Sequence, residues 1–101
     1  MPLKVYYLDD EVFLCENFLD YFSSADVEVL TFTDPVEFIA IAKKNPPDLF
    51  VIDYRLSGIT GDEVAQAIGS GIPKYLITGD TTAKVSDRFL GVFSKPYNPD
   101  D

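Results

Sequence analysis

Polar side chains stand at the ends of four short apolar runs, and their types suit one kind of chemistry. They are three carboxylates, a hydroxyl and an ammonium: Asp9, Asp10, Asp53, Thr78 and Lys95. Carboxylates held close together repel one another unless a cation neutralises them, and hard oxygen ligands suit Mg²⁺. A carboxylate can also attack phosphorus, provided that a metal, a lysine and a hydroxyl stabilise the transferred group. These residue types therefore favour phosphoryl transfer to an aspartate.

The composition excludes most other catalytic chemistry. The 101-residue chain contains no histidine, which removes histidine acid–base catalysis, histidine-activated nucleophiles and histidine metal sites. Its single cysteine, Cys15, excludes an internal disulfide and a thiolate metal cluster. With 8 basic and 17 acidic residues, the net charge of −9 argues against nucleic acid or an anionic membrane as a direct partner. No apolar stretch approaches the roughly 20 residues of a membrane span, so a cytoplasmic location is expected.

Short apolar runs alternate with helical patterns along the chain. The runs predict five strands, over residues 3–8, 27–31, 49–52, 75–78 and 90–93. Apolar periodicity and capping residues predict helices over about 11–23, from Pro35 to near Asn45, and over about 61–69, with a weak candidate at 81–88. The residues expected to face inward are Cys15, Phe18, Leu19 and Phe22 in the first helix, Val36, Ile39 and Ala40 in the second, and Val64, Ala67 and Ile68 in the third.

This alternation predicts right-handed crossovers and a parallel sheet with helices on both faces. The length allows one domain, residues 1–101, with an α/β three-layer sandwich around five parallel strands. In such open sheets the working site lies beyond the carboxyl ends of the strands. The polar residues described above occupy those positions, so we expect them to converge on one crevice.

The chain resembles the receiver (response regulator) domains of bacterial two-component signalling. Four motifs carry the resemblance, in order and each at a strand end: Leu8-Asp9-Asp10-Glu11, Asp53-Tyr54-Arg55-Leu56 with Gly61 beyond it, Thr78-Gly79-Asp80, and Lys95-Pro96. The resemblance extends from Leu3 to the end of the chain. It implies a flavodoxin-like, CheY-like fold with the five strands in the order 2-1-3-4-5.

The resemblance also implies which residues bind the metal. Asp10 would bind Mg²⁺ directly, while Asp9 would act mainly through metal-bound water. Asp53 and the backbone carbonyl of Arg55 would complete the protein ligands, so the Arg55 side chain need not match any pattern.

The same resemblance assigns the phosphoryl-binding residues. Asp53 would accept the phosphoryl group, Thr78 would hydrogen-bond it, and Gly79 would leave room for it. Lys95 would pair with the phosphoryl oxygens, and the bond between Lys95 and Pro96 would be cis.

On this basis we expect a phosphoacceptor signalling domain that switches a protein-interaction surface. Its partner would be a sensor histidine kinase or a phosphotransfer protein carrying a phosphorylated histidine. It would not be an enzyme beyond Mg²⁺-dependent self-phosphorylation and slow autodephosphorylation. A pseudo-receiver that acts as an interaction module without phosphorylation is the alternative. An aspartyl-phosphate hydrolase is disfavoured because Arg55 stands where such enzymes need a second aspartate.

Several positions depart from the family pattern. Val92 stands three residues before Lys95, where the family usually has a rotating tyrosine or phenylalanine, and Ser57 stands where proline is common. The stretch from Thr78 to Lys95 is shorter than usual.

The last four residues, 98–101, have the composition of a helix start. We therefore expect a chain truncated before the fifth helix of the family, with self-association into a homodimer through the apolar surface that this helix would cover.

Overall fold

Five strands form one parallel sheet in the computed structural model, which describes residues 2–69, 71–78 and 88–94 (for residues 93 and 94, the backbone only). The strands are β1 (Leu3–Leu8), β2 (Val27–Phe32), β3 (Leu49–Asp53), β6 (Lys74–Thr78) and β7 (Gly91–Ser94), while β4 (Arg55–Leu56) and β5 (Ile59–Thr60) form a separate short pair. The order across the sheet is β2-β1-β3-β6-β7, with every neighbouring pair parallel. Without the short pair this is the predicted order 2-1-3-4-5, and the expected fold class is confirmed.

Helices cover both faces of the sheet, which gives the predicted three layers. They are α1 (Val12–Phe22), α2 (Pro35–Lys44) and α3 (Gly61–Ile68). On one face Cys15 and Phe18 of α1 pack against a cluster of strand residues: Val5, Tyr7, Val29, Val51 and Ile77. On the other face, α2 and α3 bury Phe38, Ala42, Val64, Ala65 and Ile68 against Tyr6, Leu8, Phe50, Ile52 and Leu76.

The strand register aligns the carboxyl ends of three central strands. Leu8 lies opposite Ile52 in the pairing of β1 with β3, so the next residues, Asp9 and Asp53, are neighbours across the sheet. Asp53 in turn lies opposite Ile77, one residue before Thr78. The sheet therefore brings the ends of β1, β3 and β6 to one edge, where open α/β sheets place their sites.

Local capping explains where two of the helices begin. The Asp34 side chain accepts a hydrogen bond from the Val36 amide at 3.0 Å, and Pro35 occupies the first helical position of α2. Thr60 and Glu63 form a capping box at the start of α3. Gly69, with a φ of 60°, ends α3 in the left-handed conformation that favours glycine.

The inward faces of the helices were predicted only in part. In α2, Val36 is 75% exposed and Ala40 is exposed, whereas Phe38 is fully buried. Phe38 lies in the predicted helix but packs edge-to-face against Tyr6 and Phe50, and this aromatic packing determines which face of α2 turns inward. In the other helices, Ala65 rather than Ala67 is buried in α3, and Leu19 and Phe22 of α1 are 37% and 43% exposed.

A short antiparallel hairpin follows β3 and was not predicted. Arg55 pairs with Thr60 and Leu56 with Ile59, around a two-residue turn at Ser57 and Gly58. Gly58, the second of the two turn residues, has a φ of 78°, which is the value that a type II turn has at this position and that glycine adopts without strain. The hairpin crosses the carboxyl edge of the sheet immediately after Asp53.

Some expectations fall on residues outside the described ranges. They are the weak helix predicted over 81–88, of which only Arg88 is described, the cis bond expected between Lys95 and Pro96, and the helix start expected at 98–101. Among the described helices, none is long and apolar enough to cross a membrane.

Candidate metal and phosphoacceptor site

Three predicted carboxylates meet at the carboxyl edge of the sheet. One oxygen each from Asp9, Asp10 and Asp53 can be chosen so that all three lie within 4.8 Å of one another. Asp9 is fully buried and Asp53 is 4% exposed. Three carboxylates at such distances repel one another strongly in a partly desolvated site, and a hard cation relieves that repulsion. The donor set of carboxylate oxygens fits Mg²⁺, which proteins usually bind through one or two carboxylates together with several waters.

The Asp9 carboxylate is held at both of its oxygens. The Tyr7 hydroxyl donates to Oδ2 at 2.9 Å, and the Glu11 amide donates to Oδ1 at 3.0 Å. The Cys15 thiol donates to the backbone carbonyl of Asp9 at 3.3 Å, which ties α1 to the same point of the chain. Asp9 is therefore fixed in both backbone and side chain.

The hairpin contributes a contact to the second carboxylate. The Ser57 hydroxyl donates to Asp10 Oδ2 at 3.2 Å, across 47 residues of sequence. Ser57 is one of the positions at which the sequence departs from the family pattern. Its hydroxyl thus lies beside the clustered carboxylates, a contact that the sequence did not indicate because it depends on the unpredicted hairpin.

The backbone around Asp53 is packed closely against the start of α3. The Tyr54 amide donates to the Ile77 carbonyl at 2.8 Å, and the Gly61 amide donates to the Tyr54 carbonyl at 2.7 Å. A Cβ atom on Gly61 would lie well inside 3.0 Å of the Asp53 carbonyl oxygen, a separation that real Cβ atoms essentially never show. Only glycine fits at this position without a shift, which explains the Gly61 of the motif.

The remaining predicted residues are distributed around this cluster. Thr78 is 6% exposed and ends β6 next to Asp53. Arg55 is exposed, and its backbone is held in β4 by pairing with Thr60. Lys95 and Gly79 lie outside the described residues.

The hydrogen bond from Tyr7 to Asp9 was not predicted, although the spacing of the two residues in the sequence indicates it. Tyr7 precedes Asp9 by two residues in an extended segment, so the two side chains leave the same face of the sheet. A buried tyrosine hydroxyl usually finds a hydrogen-bond partner, and the Asp9 carboxylate on the same face accepts this one.

The chain matches the family model described as the response regulator receiver domain over residues 5–101. A search of curated proteins found no match. Among solved structures, the chemotaxis response regulator CheY4 of Vibrio cholerae has a TM-score of 0.87 at 24% identity, with 99% of this chain and 92% of that chain covered. The CheY-like receiver domain from Methylobacillus flagellatus has a TM-score of 0.88 at 11% identity, with 97% and 90% covered.

The response regulator domain of Thermotoga maritima CheB is also similar, with a TM-score of 0.80 at 19% identity and coverage of 96% and 81%. At these identities the solved structures establish the fold, and the family model establishes the family. Members of this family are signalling domains of two-component systems that interact with kinases or phosphotransfer proteins. The chain belongs to the response regulator receiver domain family.

Proposed function

We propose that this receiver domain accepts a phosphoryl group on Asp53 from a phosphorylated histidine of a sensor kinase or phosphotransfer protein. The observation that carries the proposal is the convergence of three carboxylate oxygens within 4.8 Å at the carboxyl edge of the sheet. One of these carboxylates serves as the acceptor and all three serve to bind Mg²⁺.

The transfer forms one bond to phosphorus and breaks another. An oxygen of the Asp53 carboxylate attacks the phosphorus atom, and the bond between phosphorus and the donor's imidazole nitrogen breaks. The imidazole nitrogen keeps the bonding electrons, and the ring takes up one proton from solvent, which balances the charge. The product is an acyl phosphate on Asp53 and a neutral histidine on the partner.

The residues that would hold the metal are Asp9, Asp10, Asp53 and the backbone carbonyl of Arg55. Mg²⁺, when bound, supplies positive charge that offsets the charge on the transferred group. The hydrogen bonds to both oxygens of Asp9 and from Ser57 to Asp10 support this assignment, because ligands with fixed orientation lose little entropy on binding a metal.

The phosphoryl group would be bound by Thr78 and Lys95. The burial of Thr78 at the end of β6, beside Asp53, supports a role in hydrogen bonding to that group. Val92 occupies the position of the family's rotating aromatic ring and is 43% exposed. We therefore propose that phosphorylation biases the interaction surface through Thr78 rather than through an aromatic rotation at residue 92.

We propose the cytoplasm as the place of action, because two-component kinases phosphorylate their partners there. A homodimer is also proposed, through an apolar groove of about 400 Å³ between α1 and the sheet. The groove is lined by residues from α1 and four strands: Leu3, Val5, Phe18, Phe22, Val27, Leu49, Val51, Tyr75 and Ile77. Apolar surface of this kind favours association with another apolar face.

The phosphoacceptor proposal is tested with acetyl phosphate or beryllofluoride in the presence of Mg²⁺. We expect one adduct on the wild-type chain and none on Asp53→Asn. Asp20→Asn, which removes an exposed carboxylate of α1, is the matched control and is expected to form the adduct normally. A wild-type chain without an adduct would instead support the interaction-module alternative.

A further inference from the structure

We infer that Tyr7 is a positioning residue of the Mg²⁺ site, acting through its hydrogen bond to Asp9. The inference rests on the metal site of the proposed function and adds to it a residue of β1 that lies in the core. Tyr7 is fully buried and its hydroxyl donates to Asp9 Oδ2 at 2.9 Å.

The Tyr7 ring is held in place by stacking. Its centroid lies 4.2 Å from that of Phe18, and the two rings are within 9° of parallel. The ring centroid of Phe18 in turn lies 4.5 Å from that of Phe22, so the Tyr7 ring packs against a pair of aromatic rings on α1. Because a buried and stacked ring cannot swing away, its hydroxyl has a fixed position relative to the end of β1.

The hydrogen bond prepares Asp9 for a metal without consuming its capacity to bind one. Each carboxylate oxygen has two lone pairs, and one hydrogen bond uses only one of them: the Tyr7 hydroxyl donates to Oδ2 and the Glu11 amide donates to Oδ1. A single hydrogen bond to a carboxylate oxygen therefore does not by itself prevent that oxygen from binding a metal ion or its bound water. The hydroxyl dipole also offsets part of the repulsion that Asp9 experiences from Asp10 and Asp53.

The neighbouring residue provides a matched control within the same strand. Tyr6 is 2% exposed, but its side chain lies on the opposite face of the sheet, and its hydroxyl donates to the Asn45 carbonyl at 2.5 Å. Tyr6→Phe and Tyr7→Phe each remove one oxygen from a buried tyrosine of β1 and keep the ring. Only Tyr7→Phe removes a hydrogen bond from the acidic cluster.

The test compares Mg²⁺ affinity of the wild-type chain, Tyr7→Phe and Tyr6→Phe, obtained from the Mg²⁺-dependent rise in unfolding temperature. Loss of a hydrogen-bond partner of a metal ligand typically weakens metal binding by about 10- to 100-fold. We expect Tyr7→Phe to weaken Mg²⁺ binding about tenfold and Tyr6→Phe to leave it within about twofold of wild type. Because the temperature rise is measured against each variant's own metal-free value, a general loss of stability does not imitate the effect.

A Tyr7→Phe variant that binds Mg²⁺ as Tyr6→Phe does, or more tightly than wild type, would overturn the inference, as would a wild-type chain that binds no Mg²⁺. The extent of phosphorylation by acetyl phosphate is measured in parallel, and in saturating Mg²⁺ Tyr7→Phe is expected to recover wild-type phosphorylation. Normal Mg²⁺ binding without phosphorylation of the wild-type chain would contradict the proposed function and leave the role of Tyr7 intact.

Discussion

Gly61 lies directly against the backbone carbonyl of Asp53, with no room for a Cβ atom between them. The first residue of α3 thereby limits where the end of β3, and with it Asp53, the proposed phosphoacceptor, can lie. The contact explains in steric terms why a glycine stands eight residues after Asp53.

Gly61→Ala is therefore expected to shift the end of β3 and destabilise the fold by about 1–3 kcal/mol, the usual cost of overpacking a filled site. Phosphorylation by acetyl phosphate should fall as well, because Asp53 moves relative to the other carboxylates. Gly71→Ala is the matched control, since nothing lies within 4 Å of a Cβ there. Chemical denaturation measures the stability change, and equal stability of the two variants would contradict the steric explanation.

Asp10→Asn is expected to stabilise the metal-free protein and to abolish most of the stabilisation by Mg²⁺. Without a cation, the three clustered carboxylates repel one another, and removing one charge relieves on the order of 1 kcal/mol. The amide oxygen can still accept the Ser57 hydrogen bond, so the local structure is retained. Thermal unfolding with and without Mg²⁺ checks both effects; a variant less stable than wild type in the absence of metal would argue against repulsion in the cluster.

Lys74, at the start of β6, gives the stability a pH dependence of known sign. Burial lowers the pKa of its ammonium group, which donates to the Ile72 carbonyl at 3.1 Å and lies 5.6 Å from the centre of the Phe50 ring. Between this lowered pKa and the ordinary value of about 10.4, the unfolded chain binds more protons than the folded one. The free energy of unfolding should therefore gain a contribution that increases with pH through that window.

Lys74→Met removes this titration and keeps an unbranched side chain. Denaturation curves between neutral pH and pH 10 should show that the stability of wild type relative to Lys74→Met increases with pH. A difference that stays constant or decreases would contradict the assigned direction of the pKa shift.

Phe22→Glu is expected to weaken the proposed homodimer, because Phe22 lines the apolar groove and is 43% exposed. Phe13→Glu is the matched control, because Phe13 lies on the same helix, is 69% exposed and does not line the groove. Association of wild type should strengthen with added salt, which screens the repulsion between two chains of net charge −9. Light scattering over a range of concentrations measures this, and a monomeric wild type at high concentration would rule out the dimer.

The sequence predicted the elements that depend on local patterns. The bounds of β1 were predicted correctly, β2, β3 and β6 differ by one residue at one end, and β7 is shifted by one residue at both ends. Continuous apolar runs ending in polar residues are a strong signal for buried parallel strands, and the Thr60–Glu63 capping box has a short, recognisable spacing. The convergence of Asp9, Asp10 and Asp53 followed from topology alone, since parallel strands end at the same edge.

Features that depend on packing between distant segments were missed. The inward face of α2 is determined by the fit of Phe38 between Tyr6 and Phe50, which the periodicity of one helix does not contain. The hairpin at 55–60 is held by only two residue pairs and carries no alternating apolar pattern. Its contact from Ser57 to Asp10 spans 47 residues and depends on both the hairpin turn and the sheet order.

The most direct test of the account is the intact mass of the protein after incubation with acetyl phosphate and Mg²⁺. We expect the wild-type chain to gain the mass of one phosphoryl group, with hydroxylamine removing it as it removes other acyl phosphates, and Asp53→Asn to gain none. Omitting Mg²⁺ should reduce the gain in wild type to near zero. An Asp53→Asn variant that is phosphorylated to the same extent as wild type would contradict the assignment of Asp53 as the phosphoacceptor.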